Sequence, residues 1–332
     1  MMLFTSGIFL CLTVAACESS PPTVRVERTV VLMGTTARFV TEGPDRETSV
    51  RQLERMVRVI EKTETSLSTW RNTSVLSALN QQPVGTSITL PDGVCALLDR
   101  VASWHRETKG AFDPAVGRLI DAWALHDGSS PPDPATLAEA KAQSGFHHLV
   151  LDAERCAASR RVDLRIDAGG FGKGAALERV RRSESSRPGA WFINFGGQVI
   201  VSSASAGSAW PVAIAHPIFR ETPVIEIRLE EGSVATTGGS ERDILIDANT
   251  RIGHVIDPRT GSTVSYPSSV TVWHQDALVA DILSTALYVM GPDDALPWAE
   301  ARGIAAYFLK ANVETGETAY EATLAFTTKF LR

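Results

Sequence analysis

The sequence predicts an α+β fold, mixed β-sheets with packed helices, in one compact domain with room for a two-lobed organisation. Three observations predict it. At 332 residues, 44% hydrophobic and 21% charged, the chain can bury a large core. Apolar residues recur with period 2 in some stretches and period 3.6 in others, so strands and helices are both required. The two kinds of stretch do not alternate strictly enough for a doubly wound parallel sheet, and no internal repeat is present.

Residues 1–16 carry no charge and contain the apolar run Ile8-Phe9-Leu10-Cys11-Leu12, leading through Val14-Ala15-Ala16 to Cys17 and polar Glu18-Ser19-Ser20. This resembles a bacterial lipoprotein signal, with 1–16 removed as a signal peptide, Cys17 lipidated and 17–22 acting as a tether. The run is too short to span a bilayer, so lipid would hold the protein at the periplasmic face of a bacterial membrane. No Lys or Arg precedes the run, and an ordinary cleaved signal is the alternative reading. The folded domain is expected over 23–332.

Residues 23–40 read as two strands around a turn at Met33-Gly34-Thr35. Val50, Leu53, Met56, Val57 and Ile60 recur at helical spacing. So do Val94, Leu97, Leu98, Val101 and Trp104, in a helix that closes at Gly110. Residues 128–134 form a loop and the best internal breakpoint, with Asp133 as cap and Pro134 as first residue of the next helix. Val162, Leu164 and Ile166 alternate as a strand into a glycine-rich turn, and a helix follows over 174–180. Further strands are expected at 192–201, 224–229, 234–236, 269–273, 303–309 and 319–326, with a helix at 276–290.

A formal charge of −6 without a Lys/Arg cluster argues against a nucleic-acid surface. Of the four cysteines, Cys95 and Cys156 remain in the mature body, with no metal spacing and one optional bridge between them. None of the seven histidines pairs at ligand spacing with Cys or another His, which argues against zinc.

Two stretches carry the chemistry. Asp167-Ala168-Gly169-Gly170-Phe171-Gly172-Lys173-Gly174 puts a carboxylate, bare backbone and a lysine in one turn before a helix N-terminus, where N–H groups can hold phosphate. Its spacing is neither the dinucleotide fingerprint nor the phosphate loop of nucleotide hydrolases, and such a turn can also serve only to reverse the chain. Ala280-Asp281-Ile282-Leu283-Ser284-Thr285-Ala286 spaces a carboxylate and a hydroxyl four residues apart on one face of an otherwise apolar helix. A carboxylate there is either satisfied within the core or bound to a hard cation, for which Mg²⁺ is the match. Together the stretches suggest a divalent cation holding a pyrophosphate. A third segment, Gly253-His254-Val255-Ile256-Asp257-Pro258-Arg259-Thr260-Gly261, reads as a strand ending in a turn and offers His254 as a base.

These segments stand in one series with Met33-Gly34-Thr35, Leu67-Ser68-Thr69-Trp70, Leu79-Asn80, Gly110-Ala111-Phe112-Asp113-Pro114-Ala115-Val116-Gly117, Asn194-Phe195-Gly196-Gly197 and Val234-Ala235-Thr236-Thr237-Gly238. The series resembles the FAD:protein FMN transferases, the ApbE family, over nearly the whole mature chain. The resemblance implies an ApbE-like fold in which Met33 and Trp70 line the flavin and Ala111, Phe112 and Asp113 contact the cofactor. It implies further that Asp167 and Lys173 hold the nucleotide part and that Ile256 offers backbone to FAD. Gly170, through its carbonyl, would join Asp281 and Thr285, with Ser284 beside them, around Mg²⁺, and His254 would be the catalytic base. Gln198, Ala115, Gly239-Ser240 and Ser284 depart from the residues usual in the family, so ligand details are expected to shift while the chemistry stays.

The implied reaction is Mg-dependent transfer of FMN from FAD to a threonine, with AMP leaving. The acceptor would be an extracytoplasmic flavoprotein subunit of a redox complex, its threonine in an Asp-x-x-Thr type segment. An FAD pyrophosphatase would need the same site with water attacking, and a non-enzymatic periplasmic flavin carrier is the third reading.

Overall fold

The computed structural model describes residues 23–331 apart from 126–129, 188, 204–206, 240–242, 246–250 and 265. The expected signal peptide at 1–16 and tether at 17–22, Cys17 included, lie outside the described residues, as do Gly128 and Ser129 of the expected loop. Eight strands form one sheet and follow each other across it in chain order: β1 Val24–Leu32, β2 Thr35–Gly43, β3 Ala190–Phe195, β4 Gln198–Ser202, β5 Glu231–Gly238, β6 Ser268–His274, β7 Ala305–Ala311 and β8 Thr318–Ala322. All seven pairings are antiparallel, so the α+β class is realised as a meander whose long insertions leave from strand ends.

Nine α-helices are present among the described residues: α1 Arg46–Leu67, α2 Val75–Gln81, α3 Asp92–Glu107, α4 Gly117–Ala122, α5 Pro134–Ala142, α6 Gly172–Glu184, α7 Ala277–Met290, α8 Pro292–Glu300 and α9 Leu324–Phe330. One face of the sheet is covered by α1, α6, α7 and α8, where Leu53, Met56 and Ile60 meet Phe39 and Ile193, and Leu283 and Leu287 meet Val272 and Ala306. The other face is covered by a hairpin, Trp210–Ala215 with Pro223–Leu229, and by α9. Each such fully buried aliphatic side chain contributes about 1.5–3 kcal/mol.

The chain between α1 and α6 builds a second lobe from α2 to α5 and a small sheet of Ile88–Thr89, Ala157–Arg160 and Leu149–Asp152. That lobe packs Leu98, Phe112, Leu164 and Ile166 against Leu278, Ile282 and Ala286. Helix α7 therefore lies between two cores, which explains why it is apolar on nearly every side. Its start is fixed by Asp276, whose Oδ1 accepts the N–H groups of Leu278 and Val279 at 3.0 and 3.3 Å.

Three expected strands take other forms. The apolar run at 192–201 folds back on itself as β3 and β4, because Gly196 and Gly197 adopt φ of 56° and 88° and make a two-residue turn. Apart from Asn194, the two glycines and Gln198 its residues are apolar, because both sheet faces are buried. Residues 162–166 join no ladder: the chain bends at Val162 and Asp163, Leu164 N donates to Val162 O at 2.8 Å, and the Asn80 side chain takes the place of a strand, accepting from Ile166 N at 2.8 Å and donating to Ile166 O at 2.9 Å. The run at 319–326 stops as a strand at Ala322, since Thr323 accepts from Phe326 N and begins α9. The patterns of α2, α8, α9 and strand Trp210–Ala215 were too short or too interrupted to be read from periodicity.

Candidate functional site

The glycine turn and the late helix meet. Gly174, the third residue of α6, donates its backbone N–H to Asp281 Oδ2 at 2.8 Å, and Lys173 Nζ lies 3.7 Å from Asp281 Oδ1. A Cβ on Gly174 would fall 2.6 Å from Ala277 O, 2.6 Å from Asp281 Cβ and 2.9 Å from Leu278 Cα, so only glycine lets the two helices approach this closely. Asp281, 5% exposed, thus sits at the positive end of α6, which favours its negative charge.

Side chains expected around a ligand collect at the same place. A Cβ on Gly170 would lie 3.4 Å from Phe112 Cε2 and 3.6 Å from Thr285 Oγ1, so the turn, the second lobe and α7 adjoin there. Met33 Cε would stand 3.3 Å from a Cβ on Gly172. Asp167 closes the turn locally: its Oδ1 accepts from Gly169 N at 2.7 Å and its own N–H donates to Pro114 O at 2.7 Å. Ser284 and Thr285 donate to Asp281 O at 2.9 and 3.3 Å. Ser284 Oγ also shares a 2.9 Å hydrogen bond with Thr237 Oγ1, which ties α7 to β5. Gln198 ties the start of α7 to the sheet in the same way, its Nε2 donating to Ala277 O at 2.8 Å and to Ser233 Oγ at 3.2 Å.

Three residues of the series have surroundings of their own. Asp113 is buried under the turn that presents Ala111 and Phe112; it accepts from Phe146 N at 2.9 Å and Ala115 N at 2.8 Å, with His105 Nδ1 at 3.3 Å. Burial pushes its carboxyl pKa up, against the pull of His105 and these N–H groups. Trp70 is 75% exposed in the turn between α1 and α2. Ile256 packs into a side cluster with Leu119 and Ala140, on a two-residue strand that lies against α7.

His254 precedes that strand. Its Nδ1 is 2.9 Å from Asp243 Oδ1, and its backbone N–H donates to the same oxygen at 3.2 Å. Asp257 is committed to its own turn, accepting from Arg259 Nε and Nη2 at 2.9 and 3.0 Å. Sequence reading missed Asp243: it lies eleven residues from His254, a separation at which no local spacing rule signals contact.

The Asp281 carboxylate, the Thr285 hydroxyl and the Gly170 carbonyl are oxygen donors of the kind a hard divalent cation takes, and Asp281 Oδ1 already faces the Lys173 ammonium at 3.7 Å. Among the described residues no group of three His, Cys, Asp or Glu stands together to hold a metal ion.

A meander sheet bearing an inserted lobe, with a glycine-rich turn locked onto a buried helix carboxylate, defines the α+β class of this protein. The ApbE family model matches residues 33–308, and the chain belongs to the ApbE family. It is similar to the FAD:protein FMN transferase of Haemophilus influenzae, 27% identical over 328 residues and 93% of each chain. It is also similar to that of Klebsiella pneumoniae, 30% identical over 325 residues, 92% of this chain and 91% of that one. Among solved structures, the apo Pseudomonas stutzeri flavinyl transferase ApbE superposes with a TM-score of 0.80 at 26% identity, covering 93% of this chain and 97% of that one. The Thermotoga maritima ApbE protein superposes with a TM-score of 0.83 at 26% identity, covering 92% and 99%.

Proposed function

We propose that this chain is an enzyme that transfers FMN from FAD to a threonine hydroxyl of an extracytoplasmic flavoprotein subunit, releasing AMP. The observation that carries this is the bond from Gly174 to Asp281, with Lys173, Gly170 and Thr285 around it, in a chain of this family. Gly170, Asp281 and Thr285 would hold Mg²⁺, with Ser284 bracing the Asp281 carbonyl. When bound, the cation supplies neutralisation of pyrophosphate oxygens and polarisation of phosphorus.

The remaining steps belong to the chain's own groups. Lys173 draws the pyrophosphate to the start of α6, and Asp167 keeps the glycine turn in shape. Met33, Ala111 and Phe112 wall the flavin, Asp113 holds their turn from beneath, Trp70 closes from outside, and Ile256 offers backbone. Threonine Oγ bonds to the FMN phosphorus as the bond to the AMP oxygen breaks, and His254 takes the proton the hydroxyl gives up. FMN ends on the acceptor as a phosphoester.

Residues 1–16 are proposed as the signal peptide and Cys17 as the lipid anchor, with the domain from 23 onward at the periplasmic face of the membrane. Labelled palmitate should enter the wild-type chain and not Cys17→Ser; label in neither would remove the anchor.

The test is incubation with FAD and Mg²⁺, with and without a fragment bearing an Asp-x-x-Thr segment. FMN on the fragment with equal AMP, and little free FMN without it, is expected. Rapid stoichiometric FAD hydrolysis without acceptor would mark a pyrophosphatase, and no turnover in either condition would mark a carrier.

A further inference from the structure

A histidine acts as a base only through a ring nitrogen that bears no proton, so the partner of the other nitrogen decides whether it can act. In this chain that partner is a carboxylate. Asp243 Oδ1 receives two donors from one residue, the ring Nδ1 at 2.9 Å and the backbone N–H of His254 at 3.2 Å. The backbone bond holds the oxygen in place, and the ring bond then sets the rotation of the imidazole. An ionised carboxylate only accepts, so Nδ1 carries the proton and Nε2 keeps its lone pair.

Exposure follows the same division. The Asp243 side chain is 1% exposed and the His254 side chain 34%, which shelters the acceptor and leaves the ring reachable from outside. The pair also has a fixed support. Asp243 Oδ2 would lie 3.3 Å from a Cβ on Gly239, the residue after β5, and β5 is bonded to α7 through Thr237 and Ser284. One strand end therefore links the imidazole to the helix that carries Asp281 and Thr285.

We infer that Asp243 is a positioning residue for flavin transfer: through the Nδ1 bond it selects the tautomer of His254 and leaves Nε2 to receive the acceptor proton. This rests on the proposed transfer chemistry and adds to it a residue that touches neither FAD nor acceptor.

Single-turnover transfer should be measured for the full chain as wild type, Asp243→Asn, Asp243→Ala, His254→Gly and the Asp243→Ala/His254→Gly pair. FAD binding should be followed by fluorescence, and the His254 ring nitrogens of the wild type by ¹⁵N NMR. Asp243→Ala is expected to slow transfer about 10–100-fold with FAD affinity within about twofold. Asp243→Asn, which keeps an acceptor oxygen without the charge, should fall between it and the wild type. Adding Asp243→Ala to His254→Gly should cost nothing more, because the carboxylate acts only through the ring. The neutral wild-type ring should show a proton on Nδ1.

Three results overturn the inference: Asp243→Ala within about twofold of wild type, the same slowing by Asp243→Ala when His254 is absent, or a neutral wild-type ring protonated on Nε2. A wild-type chain that moves no FMN removes the proposed function instead, and the ring spectrum still decides the tautomer, because it needs neither turnover nor a folded variant.

Discussion

The proposed cation side of the site and its proposed reactive side are built in opposite ways. Asp281 is placed by two helices pressed together at Gly174, with backbone atoms on both sides and apolar cores around α7. His254 precedes a two-residue strand, and a single carboxylate oxygen sets its ring. Position comes from packing in the first region and from one hydrogen-bonded pair in the second. Changes at the junction should therefore reach the fold or the ligand charge, whereas changes at His254 should reach the rate alone.

The sharpest break of that contrast is Asp281→Asn. Its amide oxygen can still accept from Gly174 N, so the fold should survive, while loss of the charge should slow transfer about 10³-fold. Circular dichroism with single-turnover kinetics checks this, and a rate near wild type would remove the cation role. Next is Gly174→Ala, whose methyl meets backbone that cannot yield; about 3 kcal/mol of stability should be lost in urea unfolding. His254→Gly should cost about 10²-fold in transfer, with FAD affinity and melting temperature held. A drop in melting temperature there would mean that the reactive side also supports the fold.

The smallest expected effect is Glu178→Gln, which sharpens the picture of how α7 is seated. Glu178 accepts from Arg181 and Arg182 at 2.7 and 2.8 Å and from Ala277 N, the first residue of α7, at 3.3 Å. Burial acts to raise its pKa, but the two arginines win and hold it below the ordinary glutamate value. A lowered folded pKa means stability that is present above the ordinary value and lost as pH falls through the folded one. The substitution should cost about 1.5–3 kcal/mol near neutral pH, and the gap between the two proteins should close under acid. A gap that persists at low pH would show the glutamate acting through packing.

What the sequence disclosed, and what it hid, follows the same division. Helix α7 was legible because its residues are apolar apart from Asp281, Ser284 and Thr285, and the glycine turn was legible as a turn because its glycines stand together between an apolar run and a helix. The reason for Gly174 was not, since it lies in atoms of Ala277 and Leu278 about a hundred residues on. Asn80 could be placed in a motif, but its service as a substitute strand for Ile166 spans 86 residues and has no local signature. Asp113 entered through the family resemblance, and that its oxygens accept from Phe146 N and Ala115 N has no signature in local spacing. Burial and pairing over long separations decide such roles, and neither is written in spacing.

The junction of α6 and α7 as the place where FAD is divided and its FMN passed to protein can be tested in one measurement. Mass spectrometry of an Asp-x-x-Thr acceptor fragment, after incubation with FAD and Mg²⁺ and either the wild-type or the Asp281→Asn chain, reads it directly. A mass gain of FMN less one water on the threonine with wild type, and none with Asp281→Asn, is the expected result. An unmodified fragment with the wild-type chain, or equal labelling by both chains, would contradict it.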